Sequence, residues 1–156
     1  RFMMLSRSND VELDFDFKKV TEKSKDNPVF YVQYAFARIN SVFRLLKLNL
    51  NNKIKIDNKK FTLNEYEIQI MKKISEWPRS MEISSNKLEP HRISFYLYEL
   101  ATLFHAYWNL GKEHKELRFA SENEGVRKSR LVLLQALAIV IKNGMSVLGV
   151  STPRSM

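Results

Sequence analysis

Two stretches in the last third of the chain leave little choice of architecture: PHRISFYLYELATLFHAYWNL over 90–110 and RLVLLQALAIVIKNGMSVLGV over 130–150. In the first, Ile93, Leu97, Leu100, Ala101, Phe104 and Trp108 recur at threes and fours, and in the second Leu134, Leu137, Ala138, Ile141, Met145 and Leu148 do the same. That spacing puts each set on one face of a helix, and two long helices with apolar faces must bury them against other helices. Pro90 opens the first, and Gly111 offers a left-handed C-cap at its end. Ser121 and Glu124 predict a capping box before the second, which Gly149 and Pro153 close.

The same period runs upstream. Over 28–47 the stripe is Val32, Ala35, Phe36, Ile39, Phe43 and Leu46, with Asn27 as N-cap and Pro28 in a first turn that needs no N–H. Thr62 and Glu65 predict a capping box for a helix with the stripe Leu63, Tyr66, Ile70, Ile74 and Trp77. Pro78 is expected to end it, because a residue before proline avoids helical geometry. A weaker helical stretch, Met81 to Leu88, leads to Pro90. Between Lys47 and Lys60, LNLNNKIKIDNKK is too polar to bury a face; KIKID alternates enough for a short strand, but a solvated loop suits the asparagines better.

The chain therefore reads as all-α, a helical bundle of four or five main helices around one core. Residues 18–156 make up the helical domain, and residues 1–17 read as the edge of a preceding domain. The opening RFMMLSRS starts in mid-element and lacks the organisation of a secretory leader, so a piece of a longer protein is expected.

Composition excludes more than it identifies. The absence of cysteine rules out disulfides, thiolate metal sites and a cysteine nucleophile. The apolar run Leu131–Ile141 is interrupted by Gln135 and falls short of the ~20 residues of a membrane span, so it reads as a buried helix. Gly111, Gly125, Gly144 and Gly149 form no phosphate-cradling loop. His91 and His105 fall about 21 Å apart on one helix, so with His114 they make no metal site, and each is expected to be satisfied by local hydrogen bonds. Asp10, Glu12, Asp14 and Asp16 lack the loop glycine and closing Glu of a calcium loop; with Leu13, Phe15 and Phe17 between them they suggest a docking edge.

Charge points to a partner. Twenty-six Lys and Arg against seventeen Asp and Glu give a net +9, which serves either solubility or attraction of a polyanion. From Gly125 to Met156 there is no acidic residue against Arg127, Lys128, Arg130, Lys142 and Arg154, which favours the polyanion. Tyr31, Tyr34 and Arg38, at i, i+3 and i+7, share a helix face where rings and a guanidinium either stack on bases and meet phosphates or pack at the core edge. The 90–110 helix carries more rings than one stripe can bury: Phe95, Tyr96, Tyr98, Tyr107 and Trp108. Trp108, near its end, either presents a stacking face or closes the core stripe with Phe104.

As a set and in this order, RSNDVELDFDF (7–17), DNPVFYVQYAFARI (26–39), PHRISFYLYELATLFHAYWN (90–109) and NGMSVLGVSTPRSM (143–156) resemble the carboxy-terminal part of a class I arginyl-tRNA synthetase, with its DALR-type anticodon-binding domain. The resemblance covers nearly the whole chain and fades over 47–62. It implies a domain that holds the anticodon arm of the arginine tRNA, in a monomeric cytoplasmic enzyme that ligates arginine to tRNA with ATP and magnesium. The HIGH-like and KMSK-like motifs of ATP handling do not occur, so the resemblance implies a part with no cofactor and no catalysis of its own.

The resemblance also implies which residues touch tRNA. The helix bearing Tyr31, Tyr34 and Arg38 lies against the anticodon stem side in related synthetases, although Phe36 stands where the family usually has His. Trp108, beside Tyr107, stands where a family Tyr contacts the anticodon loop. Pro153 and Met156 keep the ends of a Pro-x-x-Met whose Met packs beside the anticodon pocket, and Arg154 replaces the usual acid and adds a phosphate contact. The rival reading is a basic helical module that binds an acidic protein, with every aromatic in the core.

Overall fold

The computed structural model of the chain describes residues 1–8, 10–12, 16–22, 24, 26–56 and 63–156, and every regular element among them is helical. Two short helices, α1 (Phe2–Leu5) and α2 (Phe17–Thr21), precede five longer ones. These are α3 (Pro28–Leu45), α4 (Glu65–Ser75), α5 (Trp77–Asn86), α6 (His91–Glu113) and α7 (Glu124–Val147), with one 3-10 turn, Lys115–Leu117, between the last two.

Helix α6 is the axis, packing against α3, α4, α5 and α7. Its Leu97, Leu100 and Phe104 meet Val32, Ile39 and Phe43 of α3, Ile70 of α4 and Leu134, Leu137, Ile141 and Met145 of α7 in one continuous buried cluster. The α7 stripe read from the sequence is buried throughout. Its length and hydropathy would suffice to cross a bilayer, but 56% of that stretch is buried within the bundle, as in a core helix. Helix α1 adds Phe2 to the same core and packs on α3 and α6.

Helix starts follow the predicted chemistry at shifted positions. Asn27 caps α3 as expected, accepting from the Phe30 N–H at 3.4 Å, while its amide donates to the carbonyls of Val20 and Glu22. Helix α4 is capped by Asn64 with Glu67 as its reciprocal partner, not by the Thr62–Glu65 pair; Thr62 lies outside the described residues. Asn123 rather than Ser121 caps α7, accepting from the Val126 N–H at 3.2 Å, and Glu124 is the first helical residue. At Asn64 a tertiary contact decides between neighbouring candidates, since its amide also donates to the Tyr107 hydroxyl at 3.1 Å.

Three further expectations are corrected. Pro78 does not stop a helix: α4 has already ended at Ser75, and Pro78 sits in the first turn of α5, where its missing N–H has no partner to lose. Tyr66 turns outward at 46% exposure instead of joining the α4 stripe. Gly111 is buried inside α6, which continues to Glu113, and its carbonyl accepts from Arg118 Nε at 3.0 Å. Gly149, at φ +67°, is the left-handed residue after α7, with Val150 N–H returning to the Met145 carbonyl at 2.9 Å. Residues 53–56 form no strand, and Leu13, Asp14 and Phe15 of the suggested docking edge lie outside the described residues.

Candidate nucleic-acid interface

Helices α3 and α6 bring Tyr31, Tyr34, Arg38 and Trp108 together as one half-buried cluster. The Arg38 guanidinium is held between two rings, 4.2 Å from the centre of Tyr34 and 5.0 Å from that of Trp108. It donates to the Tyr34 hydroxyl at 3.1 Å and lies 3.2 Å from His105 Nδ1. His105 Nε2 is 3.1 Å from the Tyr31 carbonyl, which can only accept, so Nε2 carries the proton and Nδ1 accepts from Arg38. Two of the five guanidinium N–H groups are thereby engaged.

The rings continue beyond the guanidinium. Tyr31 packs on Tyr98 and His105, with centroids at 5.2 and 4.4 Å, and Tyr34 stacks on Phe30 at 5.8 Å. Trp108 leans on Phe104 and Phe119. Trp108 thus closes the core stripe with Phe104 and also meets Arg38 of the cluster. Of the other α6 rings, Phe95 and Tyr98 are exposed whereas Tyr96 and Tyr107 are buried.

Tyr107 does not join the cluster. At 1% exposure it points into the core, 100° around α6 from Trp108, and burial first and Glu67 second raise the pKa of its phenol, so the hydroxyl stays protonated. It donates to Glu67 Oε1 at 2.5 Å. The same oxygen accepts from Arg130 Nε at 2.5 Å, while Glu67 Oε2 accepts from the Asn64 N–H at 2.9 Å. Arg130 then donates to the carbonyls of Glu116 and Arg118, both at 2.7 Å. This buried node ties α4, α6 and α7 together and fixes the 116–119 segment beside Trp108. An apolar pocket of about 320 Å3 opens there, walled by Val42, Leu45, Trp108, Leu117 and Phe119, with Lys112 and Arg118 as its charged lining.

The carboxy-terminal tail reaches the same helix on its other flank. Gln33 donates to the Ser151 carbonyl at 2.8 Å and Arg44 to the Arg154 carbonyl at 2.7 Å, so the tail runs along α3 and Ala37 beneath it is only 5% exposed. Met156 is half exposed, and the Arg154 side chain lines a separate polar groove. No three His, Asp or Glu side chains gather among the described residues. His91 also departs from expectation, because its Nδ1 is buried without a partner beside the Phe95 ring.

His105 gives the cluster a pH dependence. Burial first, and then the neighbouring Arg38 charge, push its pKa down to about 4, against a hydrogen bond to the Tyr31 carbonyl that opposes the shift. The unfolded chain therefore takes up the proton first as pH falls. Its contribution to stability is complete above about pH 6.5 and is lost as pH drops through about 4. Denaturant melts should show a slope approaching ~1.4 kcal/mol per pH unit between pH 6 and 5 that His105→Gln flattens; an identical slope in the variant would remove the assignment.

The sequence profile of the DALR anticodon binding domain matches residues 32–156, so the chain belongs to that family of anticodon-binding domains. Over all 156 residues it is 54% identical to an arginine–tRNA ligase of Pelagibacter ubique, and it is 46% identical to one of Ruegeria pomeroyi. It spans 27% and 28% of the length of those two proteins. The arginyl-tRNA synthetase of Thermus thermophilus superposes with a TM-score of 0.78 at 25% identity, over 99% of this chain and 25% of that one.

Several of these residues were out of reach of sequence reasoning. His105 is 67 residues from Arg38, and Phe119 lies outside any periodic stretch, so neither carried a signal for the cluster. Gln33 and Arg44 carry their role only once the tail is laid over them.

Proposed function

We propose that the chain is the part of an arginine–tRNA ligase that grips the anticodon arm of its tRNA, with residues 18–156 as the binding domain and residues 1–17 as the edge that joins it to the preceding region. The observation that carries this reading is the Tyr34–Arg38–Trp108 sandwich beside an apolar pocket on a domain of the anticodon-binding family. A guanidinium flanked by rings offers cation and π faces to a base, and its N–H groups offer donors to a phosphate.

Tyr31, Tyr34, Arg38 and Trp108 form the stacking surface, and Arg154 and Met156 contribute from the tail. Tyr107 acts indirectly, by holding Glu67 and with it the pocket wall. The chain positions tRNA, while ligation of arginine, with the ATP and magnesium it uses, belongs to the rest of a monomeric cytoplasmic enzyme. Its four glycines lie within α6 and α7 or just after α7.

Binding is tested with folded tRNA against a homopolymer of equal charge. Trp108→Ala should weaken the tRNA complex by ~1–3 kcal/mol and abolish the preference for the folded arm. An equal affinity of the unaltered chain for both polymers would sink the reading in favour of a general basic module.

A further inference from the structure

The basic bias of the last thirty residues resolves into a single place. Arg130 is buried against Glu67, Lys128 pairs with Glu124 at 2.6 Å, and Arg127 donates to the carbonyls of Ser121 and Glu122. The two cations left, Lys142 and Arg154, line one polar groove of about 860 Å3 together with Arg44 and Lys53. Each comes from a different element: α3, the loop after it, α7 and the tail. The lining contains no carboxylate, and none of the four cations has a salt bridge among the described residues.

We infer that this groove is a track for the sugar–phosphate backbone of the same RNA whose bases meet the Tyr34–Arg38–Trp108 cluster, an inference that rests on the tRNA-binding reading. Four like charges converging on one open groove repel one another, and a polyanion turns that repulsion into attraction. Backbone contacts by Arg, Lys and Asn side chains are the usual means of positioning a nucleic acid, and Asn51 and Asn143 line the same walls.

The groove is built in advance. Gln135 donates to the carbonyls of Leu50 and Asn52 at 2.6 and 2.8 Å and so fixes the loop wall to α7; Arg44 fixes the tail wall. Arg44 lies six positions after Arg38 on α3, which sets them about 120° apart around the helix. One strand crossing the tail would meet the cluster on one flank and the groove on the other. An acidic protein segment would satisfy the groove's charge but leaves the adjoining aromatic cluster without a role, so RNA is favoured.

The test is the salt dependence of tRNA binding by the full chain carrying Lys53→Ala and Lys142→Ala together. Each lost phosphate contact lowers the slope of log K against log salt by about 0.7–0.9, so the double variant should lose about 1.4–1.8. Lys72→Ala with Lys87→Ala, on α4 and after α5, should leave the slope unchanged. Thermal melts confirm that both pairs stay folded. A slope unaltered in the groove variant, or lowered equally by the control pair, overturns the inference. So does poly-glutamate that competes with tRNA at equal charge, which would assign the groove to an acidic protein. Because Trp108→Ala reports on the cluster separately, a failed groove leaves the anticodon reading standing, and a failed cluster is seen as a loss of preference for folded tRNA.

Discussion

Arg130→Ala should unfold the chain more readily than any surface change, at a cost of about 3–5 kcal/mol. Arg130 and Glu67 have side chains only 5% and 1% exposed, and removing the guanidinium leaves a carboxylate in the core with a phenol and one backbone N–H. It also strips the Glu116 and Arg118 carbonyls of their donor. Replacing both partners together, Glu67→Met with Arg130→Met, should recover much of the loss, because no buried charge then remains. Urea denaturation of the three proteins decides the matter. A loss below ~1 kcal/mol, like that expected for Lys128→Ala in its exposed pair with Glu124, would show that the node is not electrostatically buried.

Phe104→Ala should be comparably severe, at ~3–5 kcal/mol. Phe104 is fully buried and its ring meets those of His105, Trp108 and Phe119 at 5.3, 5.8 and 5.6 Å. The cavity would lie directly under the Tyr34–Arg38–Trp108 cluster proposed to meet tRNA, so on that proposal the molecules that remain folded should also bind tRNA less well. Phe95→Ala removes the same ring from the same helix at a 53% exposed position and should stay within ~0.5 kcal/mol of the parent. Equal losses from the two substitutions would contradict the burial of Phe104.

How much of this was legible depends on the distance over which a signal acts. Helical period is local, and it gave the faces of α3, α6 and α7 residue by residue. Capping is local too, yet Thr62 and Asn64, or Ser121 and Asn123, are chemically equivalent candidates, and only a partner such as Tyr107 chooses between them. Charge was the least legible property. Arg130 counts as surface basicity in the sequence, and only the fold brings it to Glu67, 63 residues away. The same holds for Tyr107, whose neighbour Trp108 reaches the surface while its own hydroxyl is committed to the core. Tyr34 and Arg38, one helical turn apart, were legible as a pair, whereas the His105 contact that orients Arg38 was not.

The tail is held to α3 by side chains of the helix acting on main-chain carbonyls of Ser151 and Arg154. Every residue type has that carbonyl, so the identities of residues 151–156 are uncoupled from the anchoring of the segment. A segment held in this way can change its side chains, Arg154 included, and with them its local charge, without first having to reinvent how it is held.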